Sequence, residues 1–188
     1  MAKQEQDQDQ EQEQEQDSVD RHLAGWGEEL PKVDMTVEGI VDRIHKVSHF
    51  IKRSMEQTLA EFGLSWGEWG VLGTLRRSGP PYRRSPGELA EHHELSTGAM
   101  TNRLDRLEEA GLVRRLPNPD DRRGILVELT DEGHRRWEAS FDAQAEKEAL
   151  MTRAALDEDE KRRLNDLLRR LALAYERDLP AKAKREKP

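Results

Sequence analysis

The feature that most constrains this chain is a change of period between Ser96 and Thr130. Over "STGAMTNRLDRLEEA", Met100, Leu104 and Leu107 recur three and four residues apart, which is one face of a helix. Gly111 stops that pattern. Two short apolar runs follow, one with Leu112, Val113 and Leu116, the other with Ile125, Val127 and Leu129. Between them lies "PNPDDRRG", a turn-forming run that carries Arg122 and Arg123. This reads as a hairpin whose tip holds two arginines. A lone hairpin is marginal in water, so it must lie against the helices around it.

The upstream sequence supplies those helices. "SPGELAEHH" places Ser85 as an N-cap, Pro86 at the first helical position and Glu88 three residues after the cap, closing a capping box. That helix ends near His93, and the short turn "ELS" leads into the helix that starts at Ser96. Before it, "LSWGEWGVLGTLRRSG" repeats the signature, with Ser65 as cap, Glu68 in the box and Leu64 and Trp69 as a hydrophobic staple. "GPPY" breaks the chain between the two. Two short helices joined by a tight turn and followed by a hairpin describe a winged helix-turn-helix.

Long helices flank this unit. One spans about 36–62, with Ile40, Ile44, Val47 and Ile51 on one stripe widened by Val37, Val41, Phe50, Leu59 and Phe62. Beyond Thr130, Trp137 and Phe141 start another, and "DEDE" after Leu156 caps a last one striped by Leu164, Leu167, Leu168, Leu171 and Tyr175. Val19, Leu23, Trp26 and Leu30 predict a short additional helix near the N-terminus, ended by Pro31. The expected fold class is mainly α with a small β-hairpin wing. Hydrophobic residues make up 34% and charged residues 37%, which suits a helical, surface-rich chain. Trp66, Trp69 and Trp137 are expected in the core.

A net charge of −8 looks wrong for a nucleic-acid binder until its distribution is considered. The first twenty residues carry eight acids against Lys3, within an alternating Gln/Glu/Asp tract expected to be disordered. The rest is close to neutral and can carry a basic stripe. From 76 to 136 there is no lysine, only arginine, which suits bidentate recognition of phosphates and bases. No apolar run approaches the ~18 residues of a membrane span. With no cysteine and no apolar leader, the expected location is the cytoplasm.

A helix of this kind fits the major groove and presents donors and acceptors to base edges. The expected DNA-facing set on it is Ser96, Thr97, Gly98, Thr101, Asn102, Arg103 and Arg106. Gly98 would let the backbone approach a phosphate at the helix start. At the wing, Arg122 and Arg123 would enter the minor groove, with Asp121 pairing with Arg123 to aim it. His45 and His49 share a helical spacing that can hold a metal, but no third ligand accompanies them, and no metal or cofactor is expected. No phosphate loop, nucleophile elbow or metalloprotease motif appears, so no catalytic residue is assigned and the chain is not expected to be an enzyme. Two other readings are a protein-interaction module, expected to expose apolar residues at the wing, and an architectural DNA binder without sequence preference.

The segment "STGAMTNRLDRLEEAGLVRRLPNPDDRRGILVELTDEG", residues 96–133, resembles the MarR family of bacterial transcriptional regulators, and the resemblance extends over roughly 36–178. It implies a homodimeric winged-helix repressor of double-stranded DNA. The first and last long helices would dimerise, and helices 66–110 with the wing would contact a pseudo-palindromic operator. Asp121 and Arg123 match the family's Asp-x-Arg wing pair. "GVLGTLRRSG" and the additional helix resemble the urate-responsive branch, which holds small anions with a Trp, an Asp and an Arg. Trp26 and Arg103 match that set, and Gly70 stands where the branch has Asp. With one polar anchor of that set replaced, the resemblance leaves open a different small anion as effector, or none. The expected divisions are a tail over 1–18, an additional helix over 19–31, a dimerisation helix over 32–63, a DNA-binding region over 64–130, C-terminal dimerisation helices over 131–179 and a basic tail over 180–188.

Overall fold

In the computed structural model, the chain is described over residues 16–26, 29–30 and 32–178. Most of the expected acidic tail and all of the expected basic tail lie outside these residues. The described part holds α1 (Ser18–Ala24), α2 (Met35–Glu61), α3 (Trp66–Arg77), β1 (Arg83–Arg84), α4 (Pro86–His92), α5 (Thr97–Glu109), β2 (Val113–Asn118), β3 (Asp121–Leu129), α6 (Asp131–Ala155) and α7 (Glu158–Asp178). The chain divides into two units at Gly67/Glu68.

In the first unit α1 packs on α2. Asp17 caps α1, forming a capping box with Asp20. Both acids also bind Arg43 of α2, Asp17 to its Nε at 3.1 Å and Asp20 to its Nη2 at 2.5 Å. Val19 is buried, and Gly39 lets Leu23 come close to α2. α1 is shorter than the sequence pattern suggested. It stops at Ala24, with Gly25 as C-cap, so Trp26 and Leu30 follow the helix rather than lie on it. Glycine costs roughly 1 kcal/mol in a helix interior, and Gly25 and Gly27 flank Trp26. On α2, Met55, Thr58 and Leu59 are buried, whereas Val37, Ile40, Val47, Phe50 and Ile51 remain about half exposed.

The second unit contains the helix-turn-helix and wing. Ser85 accepts from Glu88 N while Glu88 accepts from Ser85 N, and Pro86 opens α4. Glu94 takes a left-handed conformation in the turn, and Leu95 N donates to Ala90 O. Ser96 then caps α5 by accepting from Ala99 N at 3.3 Å. Met100, Leu104 and Leu107 are buried to within 1%. Gly111, at φ +70°, makes the left-handed exit into β2.

The sheet order is β1-β3-β2, all antiparallel. Val113 opposes Leu129, and Leu116 opposes Leu126. A register shift between Pro117 and Asn118 lets Asn118 meet Asp121 at the wing tip. Thr130 joins wing to α6. Its hydroxyl caps the helix at Gly133 N, and its main-chain N donates to Leu112 O.

Trp69 of α3, Trp137 and Phe141 of α6 form a stacked ladder, with centroids 5.5 and 5.2 Å apart and planes within 15°. The Arg76 guanidinium lies 4.9 Å over Trp137 and binds Glu138 at 2.9 Å. Trp66 departs from the expected core position and is 50% exposed. As the first residue of α3 it lies at a helix start, ahead of the buried run that begins at Glu68.

Candidate nucleic-acid interface

The buried stripe of α5 fixes which residues face outward. Ser96, Thr97, Gly98, Thr101 and Asn102 are exposed on the side away from Met100, Leu104 and Leu107. The Asn102 amide has no hydrogen-bond partner among the described residues, so its donor and acceptor are both available. Thr101 donates to Thr97 O at 2.9 Å, which fixes its rotamer. A Cβ on Gly98 would meet nothing within 4 Å, so no part of the chain requires glycine there.

The two arginines of α5 behave differently from these. Arg106 donates through Nε to Glu68 Oε1 of α3 at 2.8 Å, and that carboxylate is largely buried. The pair fastens α5 to α3 and takes Arg106 partly out of the set of free readers. Arg103 is half-buried and lies close enough to His93 for its charge to act there. His93 is held below its usual 6.5, first by burial and then by the charges of His92, Arg103 and Arg77. Its Nε2 lies 3.1 Å from Thr74 Oγ1. A Cβ on Gly70 would come within 3.2 Å of the same imidazole, so a side chain there would compete with His93 for space.

At the wing, Asp121 does not hold the Arg123 guanidinium. It accepts instead from the Arg123 main-chain N at 3.0 Å, and no ion pair joins the two side chains. Two-residue spacing places the carboxylate over the next-but-one amide, as an Asx turn does. Asp121 therefore shapes the tip, leaving the exposed Arg123 side chain unpaired among the described residues. Arg122 lies in β3, and its side chain falls outside the described set.

The base of the wing holds residues that the sequence reading did not single out. Glu128 on β3 is 6% exposed and binds Arg83 of β1 and Arg114 of β2, the latter through Nε at 2.6 Å. Both arginines stand directly opposite it in the register, and opposite charges across antiparallel strands support pairing. Burial acts to raise the Glu128 pKa, and the two arginines more than reverse this, leaving it below its usual 4.5. The sign follows for a depressed carboxylate. The stabilisation is fully present above about pH 4.5 and is lost as pH falls through the lower folded value. Acid unfolding of Glu128→Gln should be flatter than wild type below pH 4.5. Parallel curves over that range would remove Glu128 from the acid response.

Among the described residues no helix is long and apolar enough to cross a membrane, and no group of three or more His, Asp or Glu side chains could hold a metal.

The MarR family matches residues 62–124, which run from the end of α2 through the helix-turn-helix into the wing. The HTH-type transcriptional regulator PecS of Dickeya dadantii is 34% identical over 146 residues, covering 78% of this chain and 87% of that protein. The YusO protein of Bacillus subtilis superposes with a TM-score of 0.65 at 28% identity, over 76% of this chain and 99% of that one. A mutant MarR from E. coli complexed with operator DNA superposes with a TM-score of 0.55 at 29% identity, over 78% of this chain and 96% of that one. Together with the winged helix built above, these similarities place the chain in the MarR family of transcriptional regulators.

Proposed function

We propose that this chain is a cytoplasmic, homodimeric repressor that reads a pseudo-palindromic operator. α5 enters a major groove, and the wing tip enters the adjacent minor groove. The observation that carries this reading is the two-sidedness of α5. One side is sealed in the core, and the other offers Thr97, Thr101 and Asn102 to solvent. A solvated surface helix could look similar, but it would have no reason to stand beside a hairpin whose tip carries arginines. The operator DNA of the E. coli MarR structure supports the same class of partner.

In this scheme residues 64–130 bind DNA, while 32–63 and 131–179 dimerise. Half-exposed apolar residues on α2 and α7 support the dimer, because each helix shows an amphipathic face that the single chain leaves in water. Two-fold symmetry then sets half-site centres about one helical turn, ~10 bp, apart. Ser96, Gly98 and Arg103 complete the proposed contacts of α5, and Asp121, Arg122 and Arg123 those of the wing. Arg106 contributes by holding α5 on Glu68. A small anionic effector is also part of the proposal, as the resemblance allows. By linkage it would weaken DNA binding by the factor by which DNA weakens its own. If saturating aromatic or small carboxylic acids never shift DNA affinity, that element falls.

The test is fluorescence anisotropy on DNA upstream of the protein's own gene, beside a scrambled duplex, at two salt concentrations. Preference for the native duplex supports a sequence-specific regulator. Equal binding would indicate an architectural role, and loss of all binding would favour a protein-interaction module. Gly98→Ala sharpens the result. In the free protein the added methyl meets nothing, so stability should hold or rise by up to ~1 kcal/mol through helix propensity. DNA affinity should nevertheless fall, because the methyl would stand between the helix backbone and a phosphate. Unchanged affinity would remove the first turn of α5 from the interface.

A further inference from the structure

Resting on that reading, we propose that Arg115 is a positioning residue for DNA recognition, fixing the angle between α5 and the wing. The two reading elements meet at a single joint, Ala110-Gly111-Leu112, with Gly111 in the left-handed region. Arg115, on β2, bridges that joint. Its main-chain N donates to Glu108 Oε1 at 2.9 Å, and its guanidinium donates to the other Glu108 oxygen and to Asp105 Oδ1 at 2.7 Å. Asp105 and Glu108 are three residues apart and so share one side of α5. The Arg115 side chain is 25% exposed, whereas that of Arg114 is 61% exposed.

Adjacent residues on a strand point to opposite faces, so the two arginines anchor different things. Arg114 turns to Glu128 and ties the sheet together, while Arg115 turns to α5 and ties the sheet to the helix. The lever arm makes this consequential. At about 3.4 Å per residue, the tip lies roughly 20 Å from Gly111, so a 10° swing would move it by about 3–4 Å. A minor groove is only about 6 Å wide, and such a shift would take the tip arginines out of register while α5 stayed seated.

A purely electrostatic role makes the opposite prediction. Asp105 and Glu108 are negative charges beside a polyanion, so removing them should tighten binding if charge alone mattered. The experiment is a double-mutant cycle on the full chain and the upstream duplex. Wing-tip Arg122→Ala/Arg123→Ala is measured in wild type, in Arg115→Ala and in the near-isosteric Asp105→Asn/Glu108→Gln. In wild type the tip arginines should be worth about tenfold in Kd, and in either clamp variant under about twofold, because a misplaced tip has little left to lose. The Asn/Gln variant should bind more weakly despite losing two negative charges. The same tip factor in every background, or tighter binding by the Asn/Gln variant, would overturn the proposal. Thermal melts accompany each variant, and if Arg115→Ala does not fold, the Asn/Gln variant decides. A wild type with no preference for the upstream duplex would instead bring down the functional reading on which this rests.

Discussion

Gly133→Ala is expected to destabilise the protein by about 3 kcal/mol or more. A Cβ at this position would lie 2.2 Å from the Leu112 carbonyl oxygen and 2.7 Å from Leu129 Cδ1. A side chain could step aside, but the carbonyl cannot easily do so. Leu112 O already accepts from Thr130 N at 3.1 Å and from Thr130 Oγ1 at 3.0 Å, and Thr130 is the cap that starts α6. Moving Leu112 would therefore loosen the exit from α5, the wing base and the α6 cap together. Urea unfolding gives the measurement, with Gly98→Ala as the matched control in open space. A midpoint for Gly133→Ala close to that of the control would show that the contact relaxes at little cost.

The second large effect concerns self-association. α7 has no buried residue, yet Leu164, Leu167, Leu168, Leu173 and Tyr175 are each between 44% and 54% exposed. If a second copy covers this face, Leu164→Glu/Leu168→Glu should give a folded monomer. Its affinity for the whole operator should fall by ~10²-fold or more, because the two half-sites would no longer be engaged together. Affinity for a single half-site should change little. Sedimentation velocity read beside anisotropy separates the outcomes. A variant that stays dimeric, or a monomer that keeps full operator affinity, would assign this face another role.

Much of the winged helix-turn-helix was legible because its signals are local. Ser85, Pro86 and Glu88 lie within four residues and form the cap they predict, and Ser96 and Gly111 bound α5 where the periodicity places its ends. The misreadings arose where competition or distance decided the outcome. The apolar spacing of Trp26 suggested a longer α1, but Gly25 and Gly27 make helix there expensive. Asp121 and Arg123 looked like an ion pair because both are charged, whereas the carboxylate found the nearer amide. Glu128 with Arg83 and Arg114, and Arg115 with Asp105 and Glu108, depend on strand register and on the α5–β2 joint. Cross-strand charge opposition could have revealed the first set once the register was known. Gly133 could not have been singled out from its neighbours, since its necessity comes from a carbonyl 21 residues earlier.

The stacked indoles of Trp69 and Trp137 have an optical consequence. At 5.5 Å and 15° their transition dipoles couple strongly, and the pair joins α3 to α6, the helix that follows the wing. The coupled pair should give an exciton couplet in circular dichroism that disappears in Trp137→Phe. The chain thus carries an internal chromophore for the α3–α6 contact, and following that couplet during a DNA titration would report, without any label, whether the contact holds still or shifts as the protein binds.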